Sequence, residues 1–170
     1  MTAEIPIEEY APFYQGYIQK SSHIELLEGL VVGLKNTTTL FETFPVPKQE
    51  YSYAEGKWTP KELFLHLIDS ERVFAYRALF IARAKNAALM GFDQDEFVAN
   101  CNAHYRRMES LIEEYKAVRN ASISLFNSFT ESDLLKMGSA NNAKVSVRAI
   151  GKIIIGHEIH HSIILKERYL

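Results

Sequence analysis

The spacing of its apolar residues restricts what this chain can fold into more than any other feature. Four stretches carry apolar side chains three and four positions apart, and none alternates convincingly with period two. Such spacing lays a hydrophobic stripe along one face of a helix, whereas a half-buried strand needs alternation. The first stretch, 22–43, holds Leu26, Leu27, Leu30, Val31, Leu34 and Phe41, with Ser21 or Ser22 as its cap and Pro45 and Pro47 beyond its end. The second opens on Thr59-Pro60-Lys61-Glu62. There Thr caps, Pro takes the first helical position, and Glu closes a capping box. Its stripe continues through Leu63, Leu67, Val73, Phe74 and Leu79 towards residue 84. A third helix is predicted over 103–128, carrying Met108, Leu111, Ile112, Tyr115, Val118, Ile123 and Leu125. The fourth, 147–168, is capped by Ser146 and places Ile150, Ile153, Ile154, His157, His161, Ile164 and Leu165 on one stripe.

Four amphipathic helices bury their stripes most simply against one another, so the expected fold is all-α, a four-helix bundle. The connection 85–102 between helices two and three is too long for a hairpin. It is expected to cross the length of the bundle and leave those two helices parallel. Segments 48–58 and 138–144 read as loops, and 130–133 as a short turn. Residues 1–20, with Pro6, Pro12 and several aromatic rings, read as an extended arm with one helical turn, packed on the body.

A chain of 170 residues suits a single domain spanning 1–170. The net charge of −2, with Lys and Arg interleaved among Glu, excludes a basic nucleic-acid surface. The single cysteine, Cys101, allows no internal disulfide and fits the cytoplasm, and no motif marks it as a nucleophile. The first residues lack a basic n-region and an apolar h-region, so no signal peptide is expected. No apolar run approaches the roughly 20 residues that span a bilayer.

Three of the six histidines fall within 157–161, in the run His157-Glu158-Ile159-His160-His161. This matches the H-E-x-x-H pattern of zinc proteases. The rest of such a site is not evident: no further histidine follows His161, and Glu167 is the one carboxylate after it. Each residue turns a helix by about 100°, so Glu158 points to the flank rather than alongside His157. The i, i+4 pair His157 and His161 is different. Four residues rise about 6 Å, which lets both rings converge on one ion, and both lie on the core stripe. His160, at i+3 from His157, ranks behind them. The third ligand is expected from His66 on the second helix, where Glu62, Asp69 and Ser70 form a polar strip with it. Any of those three could hold a water or orient a ring. Imidazole ligands suit Zn²⁺ or Ni²⁺, with Fe²⁺ and Mn²⁺ less favoured.

Other candidates have a plain and a functional reading. Trp58 is a hydrophobic staple or a wall of the pocket. Gly91-Phe92-Asp93-Gln94-Asp95 is a turn, or a lid whose Asp93 and Asp95 meet a polar substrate. Arg148 is a solvated side chain or an anion contact. His23 and His104 are expected to face solvent.

The run Gly56-Lys57-Trp58-Thr59-Pro60-Lys61-Glu62-Leu63-Phe64-Leu65-His66 through Arg72 resembles the second-helix motif of the DinB-like (DinB/YfiT) family. So do Ser146-Val147-Arg148 and Gly156 through His161 at the fourth helix, and the GFDQDEF stretch is similar to that family too. The resemblance covers roughly residues 22–168. It implies a four-helix bundle with a long link between helices two and three, and a divalent metal held by His66, His157 and His161. It also implies a small-molecule enzyme, either a metal-dependent hydrolase or a transferase or isomerase using a low-molecular-weight thiol, and commonly a homodimer.

Three readings follow. The first is an enzyme in which a three-histidine site with open coordination makes a nucleophile of a bound water or thiol. The second is a non-catalytic metal- or small-molecule-binding protein. The third is a helical interaction module whose histidines are core residues.

Overall fold

The computed structural model describes residues 4–170. Its long helices are α2 (Leu26–Glu42), α3 (Pro60–Arg83), α5 (Met108–Asn127) and α7 (Val147–Arg168). Between and before them lie α1 (Gln15–Ser21), α4 (Gln94–Asn100) and α6 (Glu131–Leu134). The capping box on α3 forms as predicted: Glu62 N–H donates to Thr59 Oγ1 at 3.2 Å, and Thr59 N–H donates to the Glu62 carboxylate at 2.7 Å. Ser146 caps α7 by accepting from Ala149 N–H at 3.0 Å.

α3 packs on α5 and α7, and α2 packs on the same two, so α2 stands diagonally across from α3. The core divides into two ends. One gathers Phe41, Phe64, Leu111 and Leu165, the other Leu30, Ile81, Phe126 and Ile150. The starts of α3 and α5 therefore share an end with the finishes of α2 and α7. α3 and α5 run parallel, as expected from a long connection, which spans 84–107 rather than 85–102.

Four parts of the chain differ from expectation, one being the third helix, α5, which starts at Met108 rather than at 103 because Ala103–Tyr105 forms a separate 3₁₀ turn. Residues 138–144 are not a loop but most of a hairpin, β2 (Met137–Ala140) against β3 (Ala143–Ser146), with Gly138 opposite Val145 and Ser139 opposite Lys144. Asn141 and Asn142 turn it with φ of 52° and 60°; Asn tolerates this left-handed region, which a two-residue hairpin turn demands. A two-residue strand from the crossover, β1 (Ala88–Leu89), joins β2 in parallel. The N-terminal arm is more helical than predicted, with 3₁₀ turns at Ile7–Glu9 and Pro12–Tyr14 leading into α1; Met1, Thr2 and Ala3 lie outside the described residues. Finally, α2 starts four residues late. Glu25 caps it, while the Ser21 and Ser22 hydroxyls donate back to carbonyls of α1 at 3.1 Å and 2.9 Å.

A buried ionic cross joins all four long helices. Arg119 on α5, 1% exposed, donates from Nε and Nη2 to Glu71 on α3 at 2.8 Å each, and Nη2 also reaches Glu158 on α7. Nη1 donates to the Leu30 carbonyl on α2 at 3.2 Å. Thr37 and Tyr115 hydroxyls donate to Glu158 at 2.8 Å and 2.9 Å, so a second buried carboxylate is fully coordinated. Burial, and then the facing Glu158, push the Tyr115 phenol well above its usual range, which keeps it a donor. Gly33 makes room, because a Cβ there would lie 2.5 Å from Glu158 Oε1 and 2.6 Å from Arg119 Nη1.

Removing the cation strands two carboxylates in the core. Arg119→Met should therefore cost about 3–5 kcal/mol in urea denaturation, and a loss below about 1 kcal/mol would contradict the cross. Gly33→Ala should cost about 1–3 kcal/mol through overpacking.

Candidate metal centre

His66 lies two turns into α3, on the face that meets α7. His157 and His161 lie one turn apart on α7, on the stripe that meets α3. The register of these two helices decides whether the rings meet, and they do. His157 Nε2 is 3.0 Å from His66 Nε2 and 3.0 Å from His161 Nε2. One ligand atom from each of the three lies within 4.8 Å of the others.

Hydrogen bonding alone fits this geometry poorly. A neutral imidazole nitrogen carries one proton or one lone pair, so the His157 Nε2 cannot make two good hydrogen bonds at once. Three lone pairs aimed at one cation have no such conflict. Two nitrogens held about 2.1 Å from a common ion lie about 3 Å apart when they subtend close to a right angle. The residues present therefore fit a divalent ion.

Burial lowers the basicity of all three rings and keeps their lone pairs available. It takes His66 down to about 4. For His161, burial and then repulsion from His66 and His160 bring the value to about 3. His157 falls well below the ordinary histidine range, again first through burial and then through its histidine neighbours.

The surroundings are aromatic. The Trp58 ring lies 4.7 Å from His66 and 6.5 Å from His161, which makes it a wall of the site. Tyr17 and Phe74 approach the His157 ring at 5.2 Å and 6.2 Å. Tyr17 is brought there by Gly156: a Cβ at that position would stand 1.9 Å from the Tyr17 carbonyl oxygen, so α1 rests directly on the backbone of α7. A cavity of about 320 Å³ borders His66, Ser70 and His157, with Gly91, Phe92 and Gln94 on its rim.

The supporting residues sort themselves by contact. Ser70 Oγ lies 3.4 Å from His66 Nδ1. The Glu62 carboxylate is engaged in the capping box, and Asp69 pairs with Arg72 at 3.2 Å. Burial raises the Asp69 carboxyl, against the Arg72 charge that lowers it. Glu158 is turned into the ionic cross and away from the rings, as the flank position predicts. His160 is half-buried against Tyr17 and outside the cluster. Asp93 does not line the cavity; its carboxylate caps α4 by accepting from Asp95 and Glu96 N–H. Asp95 is exposed and also stands off the cavity, so Gln94 is the polar side chain this segment offers. Arg148 binds Glu9 of the arm rather than a free anion. His23 and His104 face solvent as expected. Two residues went unread in the sequence, Tyr17 and Arg77. For Arg77 a signal existed, since His66, Ser70, Phe74 and Arg77 follow one another at helical spacing.

A helical bundle with histidines converging from two antiparallel helices defines the class, and sequence and structure comparison define the family. Residues 30–164 match the DinB superfamily, and the chain belongs to it. Its structure is similar to that of YfiT from Bacillus subtilis, described as a probable metal-dependent hydrolase with an unusual four-helix bundle topology. That match has a TM-score of 0.72 and 17% identity, covering 96% of this chain and 94% of YfiT. It is also similar to the DinB-like protein YjoA from Bacillus subtilis, with a TM-score of 0.59 and 21% identity over 83% of this chain and 86% of YjoA. At these identities the likeness is one of fold. Among curated proteins, no sequence matches.

Because folding depresses these histidine pKa values, the metal-free folded state binds fewer protons than the unfolded chain below an ordinary histidine value of 6.5. The stability this represents is fully present above that pH and is lost as pH falls towards about 4 and then about 3. Urea titrations of chelator-treated protein should show that decline, and His161→Ala should show a shallower one. Equal pH slopes in the two proteins would contradict the shifts.

Proposed function

We propose that this protein is a metal-dependent enzyme acting on a small molecule, with a divalent ion held by His66, His157 and His161. The observation that carries this reading is the convergence of three Nε2 atoms from two helices, each ring buried and neutral. Zn²⁺ and Ni²⁺ suit an all-imidazole ligand set best. When bound, such an ion supplies a Lewis acid and lowers the pKa of a water or thiol beside it towards neutrality. The chain's own residues do the rest. Ser70 steadies the His66 ring through Nδ1, and Trp58, Tyr17 and Phe74 limit how the rings can turn. Glu62 and Asp69 stand one turn either side of His66, engaged by the capping box and by Arg72 rather than as ligands.

The cavity bordering His66 and His157 supports an open, catalytic centre over a closed structural one. Hydrolysis is the favoured reaction, since YfiT, whose fold this chain shares, is described as a probable metal-dependent hydrolase. Transfer of a low-molecular-weight thiol to an electrophile is the alternative. A homodimer in the cytoplasm completes the proposal. No described helix is long and apolar enough to cross a membrane.

The test is metal analysis of untagged protein. Wild type should carry or take up roughly one equivalent of Zn²⁺ or Ni²⁺, and His66→Ala and His161→Ala should each lose most of it. Trp58, the single tryptophan, provides a second readout. Ni²⁺ should quench its fluorescence in wild type and not in His161→Ala. Ser70→Ala should weaken metal affinity by about tenfold. Metal content far below one equivalent and indifferent to His66→Ala would leave only buried core histidines.

A further inference from the structure

The cavity beside the histidines carries one formal charge. Arg77 on α3 is the sole charged side chain lining it among the described residues, and it is only 4% exposed. Its guanidinium lies 5.8 Å from the Phe74 ring and 5.6 Å from the Phe92 ring. Nη2 donates to the Met90 carbonyl at 2.8 Å, the one hydrogen bond it makes to the described residues. An arginine has five N–H donors. No carboxylate among the described residues pairs with this one. The contrast with Arg119 is direct, since that buried guanidinium holds two carboxylates. Burying a cation without a counter-charge is costly. The remaining Arg77 nitrogens are not sealed in the core either, and the side chain lines the cavity.

From this unmatched guanidinium on the wall of the histidine cavity, we infer that Arg77 is an anion subsite and that the molecule bound there is an elongated organic carboxylate. The planar fork of arginine matches a carboxylate bidentately. Phe74, Phe92 and Tyr14 line the same cavity and receive an apolar body. The guanidinium lies 5.8 Å from the Phe74 ring, and that ring lies 6.2 Å from the His157 ring, so a molecule laid along Phe74 has the length to touch both Arg77 and the histidines. Ser70, Gln94 and Asn141 add neutral polar contacts, and no acid opposes the anion. The inference names the substrate class for the metal centre proposed above, yet the subsite rests on Arg77 and can be tested without metal.

The experiment uses the full chain treated with chelator, and compares 4-phenylbutyrate with its neutral amide by calorimetric titration. The acid should bind wild type at least about tenfold more tightly than the amide, and added salt should weaken it. Arg77→Gln should remove that preference, and Arg77→Lys should keep part of it. Equal binding of acid and amide to wild type overturns the inference without any variant. So does failure of the acid to bind at millimolar concentration, or an unchanged affinity in Arg77→Gln whose thermal melt matches wild type. A protein that takes up no metal but keeps the acid preference loses its metal centre and retains the anion subsite. One that binds metal through His66 and His161 but ignores the carboxylate does the reverse.

Discussion

Arg119 reaches from α5 to one carboxylate on α3 and another on α7, and that contact fixes how far the two helices can slide past each other. A slip of one helical turn, about 5.4 Å, would carry one of the two acids away from the guanidinium and leave it buried and unpaired. The imidazoles inherit the same register. His157 adjoins Glu158 along α7, and His66 precedes Glu71 by little more than one turn on α3. A buried ion pair is weak evidence of stability, but it is well suited to choosing one alignment among several. Thr37, Tyr115 and the Leu30 carbonyl complete the coordination, so α2 and α5 are held by the same cross.

The cross also explains what became of the H-E-x-x-H pattern. Its glutamate points into the bundle, held by Arg119, and its histidines point towards α3. One short run thus serves two neighbours on different faces of a single helix. Glu158 is neither a fourth ligand nor a base above the rings, and the cluster stays free of carboxylates.

Much of this was legible in the sequence because helices announce themselves through spacing and caps. The Thr59–Glu62 box, the Ser146 cap and the i, i+4 histidine pair are local signals, and each appears where it was read. The parallel pairing of α3 with α5 followed from the length of one connection. What stayed hidden depends on tertiary contact. The 137–146 hairpin has no strong alternation and exists because two asparagines accept positive φ and β1 pairs with its edge. Glu71 and Arg119 are charged residues on buried stripes, and charge in a helical sequence ordinarily marks the solvated face. The start of α2 was misplaced because Ser21 and Ser22 resemble caps but close the preceding helix instead.

Parallel neighbours in a bundle require the chain to travel back along its whole length, and here that return leg carries the cavity rim. The metal-ligand candidates sit on α3 and α7, where the core and the ionic cross hold them rigidly. Gly91, Phe92 and Gln94 sit on the return leg, which is held by β1 pairing, by the Arg77 contacts to Met90 and Phe92, and by α4 packing on α3. Loops of this kind accept changes of length and composition that a packed helix does not. The topology thereby separates two parts of the pocket: the rim can change in length or composition without moving the imidazole trio.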